Sequence, residues 1–131
     1  MSKPIKRITL TTNDRKSVEV NAVFDTSSFY SIIREDLVPS PNMIARYSSP
    51  DKFGNATKGG HLSILGTVNL TMTIGKKMIQ DEARVSPQLR SDFILGAKTM
   101  QSWDISIKNK KGNTKITIAH DMRDPEIMEV D

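Results

Sequence analysis

Val18-Glu19-Val20-Asn21-Ala22-Val23-Phe24-Asp25-Thr26-Ser27-Ser28 is the stretch on which the fold turns. Val18, Val20, Ala22 and Phe24 fall on every second position, with Ser17, Glu19 and Asn21 between them. Period two puts the two sets on opposite faces of a strand, one facing a core and one facing water. The alternation runs straight into Asp25, so a carboxyl group stands where a core strand ends. A carboxylate in that position is costly unless it is hydrogen-bonded or partnered. Asp-Thr-Ser-Ser is also ordinary turn and helix-capping chemistry, because each of these side chains can bond a nearby backbone amide. Taken alone, these four residues leave both readings open.

Outward from this stretch the pattern stays β. Ile8 and Leu10 mark an earlier strand, joined to Val18–Phe24 as a hairpin through a turn at Asn13-Asp14-Arg15-Lys16. Leu62, Ile64, Gly66, Val68, Leu70, Met72 and Ile74 give the clearest alternation in the chain, interleaved with Ser63, Thr67, Asn69, Thr71 and Thr73. A strand from Trp103 through Ile105 and Ile107, a turn with Gly112 in Lys108–Asn113, and a strand through Ile116 and Ile118 follow. Pro50 keeps any strand over Met43–Asp51 short or at an edge. Helix is scarce: Ala97–Ser102 after Gly96 is one candidate, and Ser31–Leu37 is expected to make one turn before Pro39 stops it.

With 131 residues, 37% hydrophobic and 26% charged, the chain suits a single globular unit over residues 1–119 with an acidic tail over 120–131. The tail holds Asp121, Asp124, Glu126, Glu129 and Asp131 against Arg123, so the body is more basic than the net charge of +4 states. A small basic β-barrel that binds nucleic acid is one reading of that charge. It is disfavoured because the cations are spread along the chain and aromatic residues for base stacking make up only 5%. No apolar run is long enough to span a bilayer, and Met1–Leu10 lacks the continuous apolar stretch of a secretory signal, so a cytoplasmic location and no membrane partner are expected. The absence of cysteine excludes disulfides, thiolate nucleophiles and cysteine zinc sites. His61 and His120 lack ligand spacing, so neither a metal nor another cofactor is expected. The adjacent acids Asp81-Glu82 and Glu35-Asp36 read as solvated surface, since neighbours on a strand face opposite sides.

Two motifs in sequence order change the weight of Asp25. Val23-Phe24-Asp25-Thr26-Ser27-Ser28 resembles the first signature of the retropepsin-like aspartic proteases, and Asp92-Phe93-Ile94-Leu95-Gly96 resembles the second, two apolar residues and a glycine opening a short helix. Between them, Asp51-Lys52-Phe53-Gly54 with Gly59-Gly60 is similar to the family's flap hairpin, and Leu65–Leu70 to its following strand. The resemblance spans about residues 6–108, and the agreement of order, spacing and strand context makes it more specific than any one motif. It implies an all-β, closed or partly closed barrel-like retropepsin (acid protease) fold with one short helix after Ile94-Leu95-Gly96.

The same resemblance implies roles. A single Asp-Thr/Ser-Ser/Gly element supplies half of an active site, so the chain is expected to form a homodimer in which two Asp25 side chains meet across a twofold axis. Thr26 would bond across that axis and Ser28 would bond a carboxylate oxygen. Phe53, Gly54, Gly59 and Gly60 would close over an extended polypeptide substrate, which pairs with the chain like an added strand. Ile94, Leu95 and Gly96 would stand behind the site. Ser27 occupies the place of the family's glycine, and a side chain there is expected to crowd the substrate or to demand a different backbone geometry. A dimer of the same fold without catalysis, serving in peptide binding or assembly, is the alternative this substitution raises.

Overall fold

The computed structural model describes residues 3–54 and 61–124. Strands β1 (Ile5–Thr11) and β2 (Ser17–Asp25) form an antiparallel hairpin whose register runs from Thr11 opposite Ser17 to Ile5 opposite Val23. Its turn is the expected one: Arg15 takes a positive φ of 68°, and Thr12 N–H donates to the Lys16 carbonyl at 2.9 Å. β3 (Ser31–Arg34), β4 (Ala45–Gly54), β5 (His61–Ile74), β6 (Lys77–Ser86) and β7 (Phe93–Gly96) complete the main sheet.

The strand order is β1-β2-β7-β3-β6-β5-β4, and β1 pairs again with β5. That last pairing closes six strands, β1, β2, β7, β3, β6 and β5, into a barrel and removes their free edges. β5 is long enough, at 14 residues, to serve two neighbours along one edge: Thr71–Thr73 pair with β1, and the stretch from His61 to Thr67 pairs with β4. Leu10, Val20, Phe24, Ile33, Leu70, Met72, Phe93 and Leu95 fill the interior and are almost wholly inaccessible. They come from the apolar face of each alternating strand, as the period predicts.

Gly66 occupies an apolar slot in the β5 alternation for a steric reason, since a Cβ there would run into the backbone carbonyl of Ala45 on β4. β4 itself lies at the sheet's edge and its register shifts between Arg46 and Asp51, the interval that contains Pro50. A proline has no N–H to give a ladder, so the irregular edge is where it is tolerated.

After β7 comes the short helix α1 (Ala97–Ser102), and then a two-stranded sheet of β8 (Ile105–Lys110) and β9 (Asn113–Ile118). Two sequence expectations need correction. Ser31–Arg34 is a buried strand, held between β6 and β7, and only Glu35–Leu37 makes a 3₁₀ turn. Sheet pairing on both sides decides the conformation of this β-branched segment, and Pro39 marks only the end of the turn. Trp103 caps α1 rather than opening a strand, and its indole N–H donates to the Gln80 carbonyl at 3.1 Å. No described helix is long and apolar enough to cross a membrane. The start of the acidic segment is tied to the barrel: Asp121 Oδ2 accepts from Met78 N–H at 3.0 Å, and Met122 N–H donates to the Met78 carbonyl at 2.7 Å.

Candidate active site

β2 and β7 lie side by side and parallel, with Ala22 opposite Phe93, Val23 opposite Ile94, Phe24 opposite Leu95 and Asp25 opposite Gly96. The two sequence motifs therefore end at the same point of the barrel, although 71 positions separate Asp25 from Gly96. The chain turns after Asp25, with Ser28 N–H donating to the Asp25 carbonyl at 3.2 Å, and then crosses Gly96 as Phe29-Tyr30. A Cβ on Gly96 would stand 2.5 Å from the Tyr30 carbonyl oxygen and 2.7 Å from that of Phe29. Glycine is required here by the close crossing of two backbone segments. The first amides of α1 then hold the loop: Ala97 N–H donates to Ser28 O at 2.7 Å and Lys98 N–H to Phe29 O at 2.8 Å.

Asp25 is about 8% exposed. Ser27 gives Oδ1 two hydrogen bonds, from its backbone N–H at 2.9 Å and its hydroxyl at 2.6 Å. Lys3 Nζ meets Oδ2 at 2.7 Å. Burial pushes the carboxyl upward, and the donors from Lys3 and Ser27 outweigh it, so the group is held below the usual aspartate range. The single chain thus keeps Asp25 ionised, with a donor on each oxygen.

The expected supporting residues divide. Ser28 does not reach the carboxylate; its hydroxyl donates to the Tyr30 carbonyl at 2.8 Å and steadies the loop. Ser27 makes the contact that the resemblance assigned to Ser28. Positive φ among the described non-glycine residues is confined to Arg15, Asp104 and Lys111, so Ser27 needs no glycine-like backbone. Thr26 is exposed and borders an open cleft of about 440 Å³ beside Ala97, Met100 and Ile105. Phe53 and Gly54 end β4, where Gly54 is in register with His61 of β5, so the backbone has the two arms of a hairpin. Gly59 and Gly60 lie outside the described residues.

Behind the site runs a polar chain that sequence reading missed. Gly96 N–H donates to Ser31 Oγ at 3.0 Å, Ser31 and Thr99 hydroxyls lie 2.7 Å apart, and Thr99 donates to Asp81 Oδ2 at 2.6 Å. Because the one hydroxyl proton of Thr99 goes to a carboxylate, Ser31 is the donor between the two hydroxyls. Lys98 Nζ adds a contact to Asp81 Oδ1 at 3.2 Å. Asp81 is therefore not solvated surface: its side chain is 13% exposed and fully partnered. Lys3 had a legible signal, since continuing the β1–β2 register by two residues sets it opposite Asp25; Asp81 had none, because only the folded barrel brings β6 beneath α1.

Neither a protein-family model nor a curated protein sequence matches this chain. Solved structures do. The retroviral protease-like domain of Ddi1 from Leishmania major superposes with a TM-score of 0.65 over 91% of this chain and 90% of that one, at 18% identity. EIAV protease, in complex with the inhibitor HBY-793, gives a TM-score of 0.55 over 77% of this chain and 88% of that one, also at 18% identity. A retropepsin-like aspartic protease from Rickettsia conorii gives 0.50 over 88% and 92%, at 14% identity. The closed barrel, the parallel β2–β7 junction and these superpositions together establish that the chain has a retropepsin-like fold.

Proposed function

We propose that this protein is an aspartic endopeptidase that acts as a homodimer, each subunit contributing Asp25. The observation that carries the reading is Asp25 itself: a nearly buried carboxylate at the end of a core strand, in register with Gly96 and presented by a loop that α1 holds in place. The likeness in fold to proteases supports it. One chain offers one such carboxylate, and Thr26 beside it is exposed, where a second copy would dock.

Across a twofold axis, two carboxyl groups at about 3 Å cannot both ionise cheaply, so they share one proton and titrate as a unit. The ionised member takes a proton from a water held between them as the water oxygen attacks the peptide carbonyl. The protonated member gives its proton to the carbonyl oxygen. Collapse of the tetrahedral diol breaks the C–N bond as the leaving nitrogen is protonated, without a covalent enzyme intermediate. The substrate lies extended beneath the β4–β5 hairpin, pairing its backbone with the site.

The test is pepstatin-sensitive cleavage of an unfolded polypeptide at acidic pH, together with sedimentation. Asp25→Asn is expected to remove at least about a thousandfold of activity, the scale of a lost acid–base group, without loss of the fold. Unchanged cleavage by that variant, or activity from a strictly monomeric species, would sink the proposal. A second reading, a dimer that binds peptide without cutting it, is favoured by the Lys3 contact on Asp25. It predicts saturable binding of extended peptide with no turnover at any pH.

A further inference from the structure

The two oxygens of Asp25 are held by groups of different kinds. Ser27 is two residues away on the same turn and holds Oδ1 with both its N–H and its hydroxyl, so it travels with Asp25 wherever the loop goes. Lys3 reaches Oδ2 from the neighbouring strand's approach. Continued two residues beyond its last pair, Ile5 with Val23, the β1–β2 register, in which paired residue numbers sum to 28, sets Pro4 opposite Phe24 and Lys3 opposite Asp25. Phe24 N–H donates to the Pro4 carbonyl at 2.9 Å, but Pro4 has no N–H to return the second bond of that pair. The segment carrying Lys3 therefore leaves the barrel through a pair bonded once. The Lys3 side chain is 55% exposed against 11% for that of Asp25.

We propose that Ser27 and Lys3 are positioning residues that divide the Asp25 carboxylate between them: the Ser27 clamp fixes Oδ1 and stays, while the Lys3 ammonium covers Oδ2 as a latch that must leave before that oxygen can react. The catalytic consequence rests on the endopeptidase reading above. If each subunit of a dimer kept its own Lys3 in place, both carboxylates would be neutralised as anions, no proton would be shared, and the carbonyl oxygen would find no acid. The approaching water also needs an acceptor oxygen, and Oδ2 is the one not already filled by the loop. An ion pair with one partner half in water contributes little, so a second carboxyl group or a bound substrate can displace it.

The charge that bears on Asp25 is the Lys3 ammonium. On β7 its neighbour is Gly96, and the cation of α1, Lys98, is turned to Asp81. Titration of Asp25 therefore reads the latch and the clamp directly.

The experiment follows the Asp25 carboxyl carbon by NMR against pH in the full chain, in wild type, Lys3→Met, Ser27→Ala and Ser27→Thr, with cleavage measured alongside. Lys3→Met and Ser27→Ala are each expected to raise the Asp25 titration midpoint, and Ser27→Thr, which keeps the hydroxyl, to leave it near wild type. In cleavage, Lys3→Met is expected to raise kcat about two- to fivefold, the range that release of an exposed ion pair corresponds to, with KM unchanged. Ser27→Ala is expected to lower kcat and move the acid limb of the profile to higher pH. A midpoint unmoved in Lys3→Met overturns the latch, and one unmoved in Ser27→Ala overturns the clamp. Shifted midpoints with no cleavage from any variant would uphold the division of the carboxylate and remove the endopeptidase reading instead.

Discussion

Asp25 and Asp81 are two nearly buried carboxylates with almost the same partners, one lysine ammonium and one short-range hydroxyl each. Asp25 has Lys3 at 2.7 Å and the Ser27 hydroxyl at 2.6 Å; Asp81 has Lys98 at 3.2 Å and the Thr99 hydroxyl at 2.6 Å. The difference lies in what carries the donors. Besides Glu82 N–H, which donates to Oδ1 at 2.8 Å, both side-chain donors of Asp81 sit on α1, whose first amides hold Ser28 and Phe29, and Thr99 passes the interaction on through Ser31 to Gly96. Asp81 is a brace between β6, α1 and the loop. The donors of Asp25 come from its own turn and from a chain segment at the end of a ladder, so one of its oxygens can be freed without unfolding anything. Similar local chemistry serves structure in one place and is available for reaction in the other.

Exchanging each carboxylate for an amide is the strongest way to break this comparison. Asp25→Asn is expected to cost at least about a thousandfold in cleavage while the chain stays folded. Asp81→Asn should lower the free energy of unfolding by about 1.5–3 kcal/mol, the range for hydrogen bonds to a charged group, as measured by urea denaturation. If both variants lost the same property, the distinction between brace and reactive group would fail. Next in size is Thr99→Val, which keeps the shape of the side chain but cuts the link from Ser31 to Asp81. A loss of about 1–2 kcal/mol is expected, and the double variant with Asp81→Asn should lose less than the sum of the two.

A smaller effect comes from the acid side. The folded Asp25 is held below its ordinary value, so its contribution to stability is complete above the unfolded aspartate range and is lost as pH falls through the folded value. Removing the ammonium in Lys3→Met should start that loss at higher pH and cost less than about 1 kcal/mol at neutral pH. Thermal midpoints from pH 2 to 7 would detect it, and superimposable curves would contradict the pairing. The smallest effect is expected at Glu35–Arg46, an exposed ion pair at 3.4 Å. Arg46→Gln should change stability by less than about 0.5 kcal/mol, and a larger loss would mean that exposed charge, not enclosure, sets the scale for all three pairs.

Local alternation makes three of the six barrel strands legible, β1, β2 and β5, and β7 is legible through its motif, while β3 reads as a turn and β6 carries no clear signal. Alternation located β2, β5 and the β8–β9 hairpin, and the turn at Asn13–Lys16 fell where expected, because a half-buried strand imposes its period on the residues that form it. Ser31–Arg34 was misread because a four-residue buried strand carries too little pattern to outweigh a nearby proline. At the site, Asp25 and Gly96 were legible as motif ends, while the exchange of roles between Ser27 and Ser28 was not. Both serines are equally able to donate, and only the course of the loop decides which hydroxyl meets the carboxylate.

By itself, then, the sequence determined the buried faces and courses of β1, β2, β5, β8 and β9, and that one carboxylate ends a core strand, since hydrophobic period and turn chemistry are local properties of the chain. Tertiary structure alone decided the closure of β1 onto β5, the parallel meeting of Asp25 with Gly96, and the brace from Asp81 to the loop. These join residues tens of positions apart, and no local propensity specifies such a contact; it exists because closing the barrel pairs its strands and, among the described residues, gives each buried polar side chain a partner.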